Sequence, residues 1–188
     1  MRKFSVRPTL TIRGRKFKGP RGWAGKPFHP PLTDFPVAAY IIAAVFDVIS
    51  AIGGTGHAWA REFWHAGTYT FIGGAIVSVL AALTGFWDWW RSSEPGTQAR
   101  RTINTHAWTM ITVTVLALID IVVRLAQYHT RAATPPAVLI LSIVIALLIS
   151  FGSLYGGALV YEYGFNVETS GDHPVWHRSE EDVFPGAH

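Results

Sequence analysis

The sequence predicts an all-α fold, an integral membrane bundle of four transmembrane helices with both termini on the cytoplasmic side. Three observations carry that expectation. Of the 188 residues, 49% are hydrophobic and only 15% are charged, against about 25% charged in an ordinary soluble domain. The apolar residues fall in four long runs, each near the roughly 20 residues that cross about 30 Å of hydrocarbon. Most of the charges lie at the edges of those runs or outside them, and nine of the sixteen Lys+Arg sit in residues 1–35. There is no cysteine, which excludes a disulfide scaffold, a Cys-ligated zinc or iron–sulfur protein and a thiol enzyme.

The first span is expected from Pro36 to Gly53, opened by a proline and closed by a glycine pair, the usual punctuation of a helix. Some 35 residues precede it and its apolar stretch is long, so it does not read as a cleavable signal peptide. The second span is expected from about Ala66 to Trp90, ending in Trp87, Trp89 and Trp90, an interfacial aromatic cluster. The third runs from about Thr102 to Gln127. The fourth starts at Pro135-Pro136 and continues past Val160 through the most hydrophobic stretch of the chain. The connection His57–His65 is short and Trp-rich and is expected to rest at the far interface.

Four spans bring both ends of the chain to one side. Thirteen of the sixteen Lys+Arg fall on that side, and only Arg61, Arg124 and Arg131 on or near the other. The positive-inside rule makes the first side cytoplasmic. The organisation is therefore a basic, disordered tail over 1–35, a transmembrane domain over 36–164 and a C-terminal docking tail over 165–188. The tail carries no helix-turn-helix or aromatic-platform pattern, so its charge points to anionic lipid and not to nucleic acid.

Alternating helix directions let distant residues share a depth. One end collects His29, Asp88, His106 and Tyr161, and the other His57, His65, His129 and Arg61. Paired histidines from different helices are the minimum for a bis-His haem b site, because neutral imidazole binds iron without adding charge. His29 with His106 meets that requirement, as does His57 or His65 with His129 at the other end. The two sets lie about 34 Å apart along a helix, so one site is easier to defend than two. Interfacial histidines that only contact headgroups or water are the plainer reading. Asp47, Asp120 and Arg124 are charged residues within spans, which normally face the bundle interior and find partners. Asp120 and Arg124 are spaced i, i+4 and can pair on one face. They serve either as a structural interhelical ion pair or as a proton path or quinone-site polar group. Gly73, Gly74, Gly85, Gly152 and Gly156 read as faces for close helix packing, or as room for a flat macrocycle. His173 and His177 are split by Pro174, which speaks against a preformed zinc site. No HExxH, P-loop or GxSxG motif is present, and no catalytic residue is assigned.

The order His29-Pro30, Phe35-Pro36, Asp47, Gly85-Phe86-Trp87-Asp88-Trp89, His106, Gly156-Gly157-Ala158-Leu159-Val160-Tyr161, Gly164 and Val167 resembles a bacterial membrane family, domain of unknown function 2231. The likeness spans about residues 29–167. It implies a four-helix membrane module of the bacterial cytoplasmic (inner) membrane with no settled activity. Some similar proteins are joined to a Rieske iron–sulfur domain or encoded beside cytochromes, which implies a redox role. A Rieske centre needs two cysteines, so here such a domain must be a separate subunit. His29, Asp88, His106 and Tyr161 are the family-like site residues.

The resulting expectation is a membrane-anchored electron-transfer subunit that holds b-type haem or contacts quinone and works with a partner redox protein. His29 and His106 are the expected metal ligands. Asp88, Trp108 and Tyr161 are further cofactor-binding residues, with Trp89 and Trp108 as walls. The alternative is a non-catalytic structural or assembly subunit, without cofactor, packed against a larger respiratory or photosynthetic membrane complex.

Overall fold

The computed structural model describes residues 28–92 and 96–163. The readings of the basic tail before Phe28, of the segment after Tyr163 and of the His173/His177 pair lie outside them. Four helices make up nearly all of the described chain: α1 (His29–Gly53), α2 (Ala58–Ser92), α3 (Gln98–Gln127) and α4 (Pro136–Tyr161), with a 3-10 turn at Gly54–Gly56 between the first two. Each α-helix is long and apolar enough to cross a membrane. In a bilayer only intra-segment hydrogen bonding satisfies the backbone of such a chain, so four helices are the form this composition permits.

Helix α1 begins seven residues before the expected boundary, so residues 29–35 belong to the bundle and not to the tail. Pro30 and Pro31 take its first turn, where a missing N–H costs nothing. Pro36 then lies inside the helix, where its missing N–H leaves the Leu32 carbonyl without its helical partner. The extra turns are held from the side, because the His29 ring bonds α2. Helix α2 also starts early, at Ala58, so residues 58–65 are its first two turns and not a connection. Ala60 and Trp64 from this segment are fully buried, and their burial on a helical period fixes the first turns onto α1. Helix α3 starts at Gln98, capped by Thr97, whose side chain accepts the Arg100 N–H at 3.1 Å.

The helices form a ring in which α1 packs on α2 and α4, and α3 on α4 and α2. Beside its apolar core the bundle buries charged and polar residues and exposes large apolar ones. Fully or nearly fully buried positions include Asp47, Ser50, Thr68, Asp120, Arg124 and Ser142, while Ile52, Val122 and Leu154 are strongly exposed. That is the distribution expected where the solvent is hydrocarbon. The outer faces therefore contact lipid. An apolar cluster of Tyr40, Ala43, Phe71, Val113, Ala117, Ile145 and Ile149 fills the middle of the ring.

Ser50 ties three segments together. Its Oγ donates to the Ala60 carbonyl at 2.7 Å and accepts the Thr134 N–H at 2.9 Å, both buried. Ser50→Ala leaves the buried Thr134 amide without its acceptor and removes the tie to the Ala60 carbonyl. The expected loss is about 1–3 kcal/mol, read as a lower midpoint of thermal unfolding in detergent.

Candidate functional site

His29 opens α1 and His106 lies on α3, and the bundle brings their rings to 6.3 Å centre to centre, nearly perpendicular at 76°. Each ring is fixed by the same device. His29 Nδ1 bonds the Ala81 carbonyl of α2 at 2.9 Å, and His106 Nδ1 bonds the Gly152 carbonyl of α4 at 2.8 Å. A carbonyl only accepts, so both imidazoles carry their proton on Nδ1 and keep the Nε2 lone pair for something else. All four helices thus take part in orienting two rings.

Glycine makes the seats. A Cβ on Gly85 would lie 2.5 Å from His29 Cε1 and 2.8 Å from its Nδ1, and one on Gly156 would lie 3.2 Å from His106 Cε1. Gly85 of α2 and Gly156 of α4 therefore serve as packing residues, and what packs on them is histidine. Gly85→Ala is expected to push the His29 ring out of its bond with Ala81. Histidine 15N NMR checks it, as the loss of the hydrogen-bonded Nδ1–H signal assigned to His29, with that of His106 kept.

Around these rings lies a cavity of about 610 Å³, lined by all four helices and predominantly apolar, within the range of small-molecule and cofactor sites. His29, Asp88, His106 and Tyr161 all line it, so the four residues implied by the family likeness meet in one place. Asp88 is buried, with 4% of its surface exposed, while Tyr161 at 88% forms the rim. Trp89 is a wall and also donates its Nε1–H to Asn104 Oδ1 at 2.8 Å. Trp108 is not a wall. It is 62% exposed and stacks edge-on against Trp89 from outside, with ring centres 6.3 Å apart. Its place on α3, two residues after His106, turns it toward lipid. Sequence reasoning passed over Tyr40, Ser78 and Met110, which line the inner part of the cavity. The signal for Tyr40 was its seven-residue spacing from Asp47, which puts both on one face of α1. Its hydroxyl donates to Ser78 Oγ at 3.3 Å.

Deeper in the bundle the intramembrane charges converge. Arg124 holds Asp47 through both Nη atoms, Nη1 at 3.2 Å from Oδ1 and Nη2 on Oδ2, and holds Asp120 Oδ2 through Nε at 2.8 Å. Thr134 Oγ1 adds a bond to Asp47 Oδ1 at 3.1 Å. The guanidinium also lies over the Phe71 and Trp64 rings, 4.6 and 5.6 Å from their centres, a cation–π setting. All three charged side chains are fully buried. The i, i+4 pair is therefore present and extends to an interhelical triad.

The histidines at the other end are differently employed. His57 Nδ1 bonds the Gly53 carbonyl at 2.9 Å. Tyr128 stacks on His65 at 4.5 Å and meets His129 edge-on at 4.9 Å, so one phenol ring contacts both. That phenol, just beyond α3, also shares a hydrogen bond with Tyr69, which raises its pKa above the ordinary value.

Fold and cavity together define a four-helix membrane protein with a histidine-lined chamber at one end. The chain belongs to the family described as Predicted membrane protein (DUF2231), whose model matches residues 25–169. No curated protein and no solved structure matches the chain.

Proposed function

We propose that the protein is an electron-transfer subunit that holds a b-type haem between His29 and His106 and passes electrons to or from a separate redox protein. One observation carries the reading. Two imidazoles on different helices each spend Nδ1–H on a backbone carbonyl, the outer-shell bond that orients a ligating histidine and raises its basicity.

The residues fit the group. The two ring centres lie 6.3 Å apart, close enough for both imidazoles to reach one metal ion between them. Among the described residues no third His, Cys, Asp or Glu joins the pair to complete a metal-binding group. Two imidazoles suit a metal that brings its remaining ligands with it, and the predominantly apolar cavity suits a macrocycle. When bound, haem would supply a one-electron redox centre, tuned by the residues that hold it and by its burial. The chain's own part is to present both Nε2 atoms, to keep water from the interior with Met110, Ile149 and Val113, and to close the chamber with buried Asp88, the Trp89 wall and Tyr161 at the rim. A quinone is the second occupant this cavity suits, with Tyr40 and Ser78 offering hydroxyls. By the distribution of Lys+Arg, the chamber opens toward the cytoplasmic face of a bacterial inner membrane.

The test is the absorption spectrum of the full chain purified after expression with haem supply. A Soret band supports the proposal. A colourless preparation that yields no quinone on extraction and co-purifies stoichiometrically with a larger membrane complex supports the structural-subunit reading instead.

A further inference from the structure

The Asp47–Arg124–Asp120 triad contains two carboxyls and one guanidinium, all fully buried. With every group ionised it carries one net negative charge inside a span, where an unpaired charge is costly. The two carboxyls are not equivalent. Asp47 uses both oxygens, receiving two bonds from Arg124 and one from Thr134. Asp120 receives a single bond at Oδ2, and its Oδ1 is buried without any hydrogen-bond partner. A bare carboxylate oxygen in that setting pays a desolvation cost that a neutral carboxyl largely avoids.

We propose that the triad is a proton-binding site, with Asp47 and Arg124 forming the ionised pair and Asp120 holding the proton on Oδ1. The groups that face Asp120 agree with this. Its own helix contributes Arg124. Helix α1 contributes Asp47 and Tyr40, the latter within electrostatic reach of Asp120. Helix α2 presents the Trp64 and Phe71 rings to the guanidinium. Helix α4 has no Asp, Glu, Lys, Arg or His along its length. Arg124 is thus the cation bound to the two carboxyls, and Asp47 engages it more fully. Tyr40 connects the site to the histidine chamber, since it lines the chamber and bonds Ser78 there. The proposal does not depend on what the chamber binds.

Infrared spectroscopy of the purified full chain at neutral pH tests it. The expected result is a carbonyl stretch from one protonated carboxyl per chain that shifts in D₂O. It is lost in Asp120→Asn, which keeps the wild-type melting temperature because asparagine is a neutral isostere. It is lost also in Asp47→Asn, where Asp120 becomes the counter-ion of Arg124. Absence of such a band from the wild type, its survival in Asp120→Asn, or failure of Asp120→Asn to fold overturns the proposal.

Discussion

Replacing Arg124 with leucine is expected to remove most of the protein's stability, about 3–5 kcal/mol, the usual cost of leaving buried charge without its partner. The side chain is fully buried and is bonded to Asp47 on α1 and Asp120 on α3. Asp47 in turn holds Thr134 in the connection between α3 and α4. Leucine removes the guanidinium and leaves a fully buried Asp47 without its cation. The loss is read as a collapse of detergent-solubilised yield and of the unfolding midpoint. Adding Asp47→Asn and Asp120→Asn to Arg124→Leu is expected to recover much of it. Apolar or neutral replacement of a whole buried ion network is often tolerated where removal of one member is not. Wild-type melting of Arg124→Leu alone contradicts the assignment of the triad as the structural tie between α1 and α3.

The second large effect is expected at His106. His106→Ala deletes one of two Nε2 atoms and leaves the Gly152 carbonyl without its side-chain donor. Cofactor retained per chain is expected to fall by more than about 10-fold, since outer-shell changes alone reach that scale. Stability falls by only about 1–3 kcal/mol, the cost of one unmade buried hydrogen bond. Absorbance per chain and thermal unfolding, measured on the same preparation, separate the two losses. Full cofactor content in His106→Ala removes His106 from the ligand set.

The chain made its four helices legible because the period of membrane burial is coarse. Runs of aliphatic residues bounded by charge or proline fix the existence of each span. The ends were harder to read, and for a physical reason. Residues 29–35 resemble a tail locally, with two prolines and the polar residues His29, Thr33 and Asp34 within two turns. What makes them helical is tertiary, the His29 ring bonded to Ala81 and seated on Gly85. The segment after His57 reads as a connection, yet it forms the first turns of α2, held by the burial of Trp64 against the guanidinium of Arg124, a contact between distant helices.

Part of the site was legible too. Placing His29, Asp88, His106 and Tyr161 at one end followed from alternating helix direction alone. Rotation about each helix axis did not follow, which is why Trp108 read as a wall and lies outside, while Tyr40 went unnoticed. A charge in a span announces itself, so Asp47, Asp120 and Arg124 were legible as a group. Thr134 and Ser50 were not, because small hydroxyl residues occur at buried and lipid-facing positions alike.

The central proposal, that His29 and His106 would together hold one haem iron, is tested most directly by low-temperature EPR of the oxidised, haem-supplied protein. The account predicts a low-spin ferric signal of a bis-imidazole centre in the wild type, converted to high spin or lost in His29→Ala and in His106→Ala. A low-spin signal that persists in the double variant, or a wild-type protein with no haem iron signal, contradicts it.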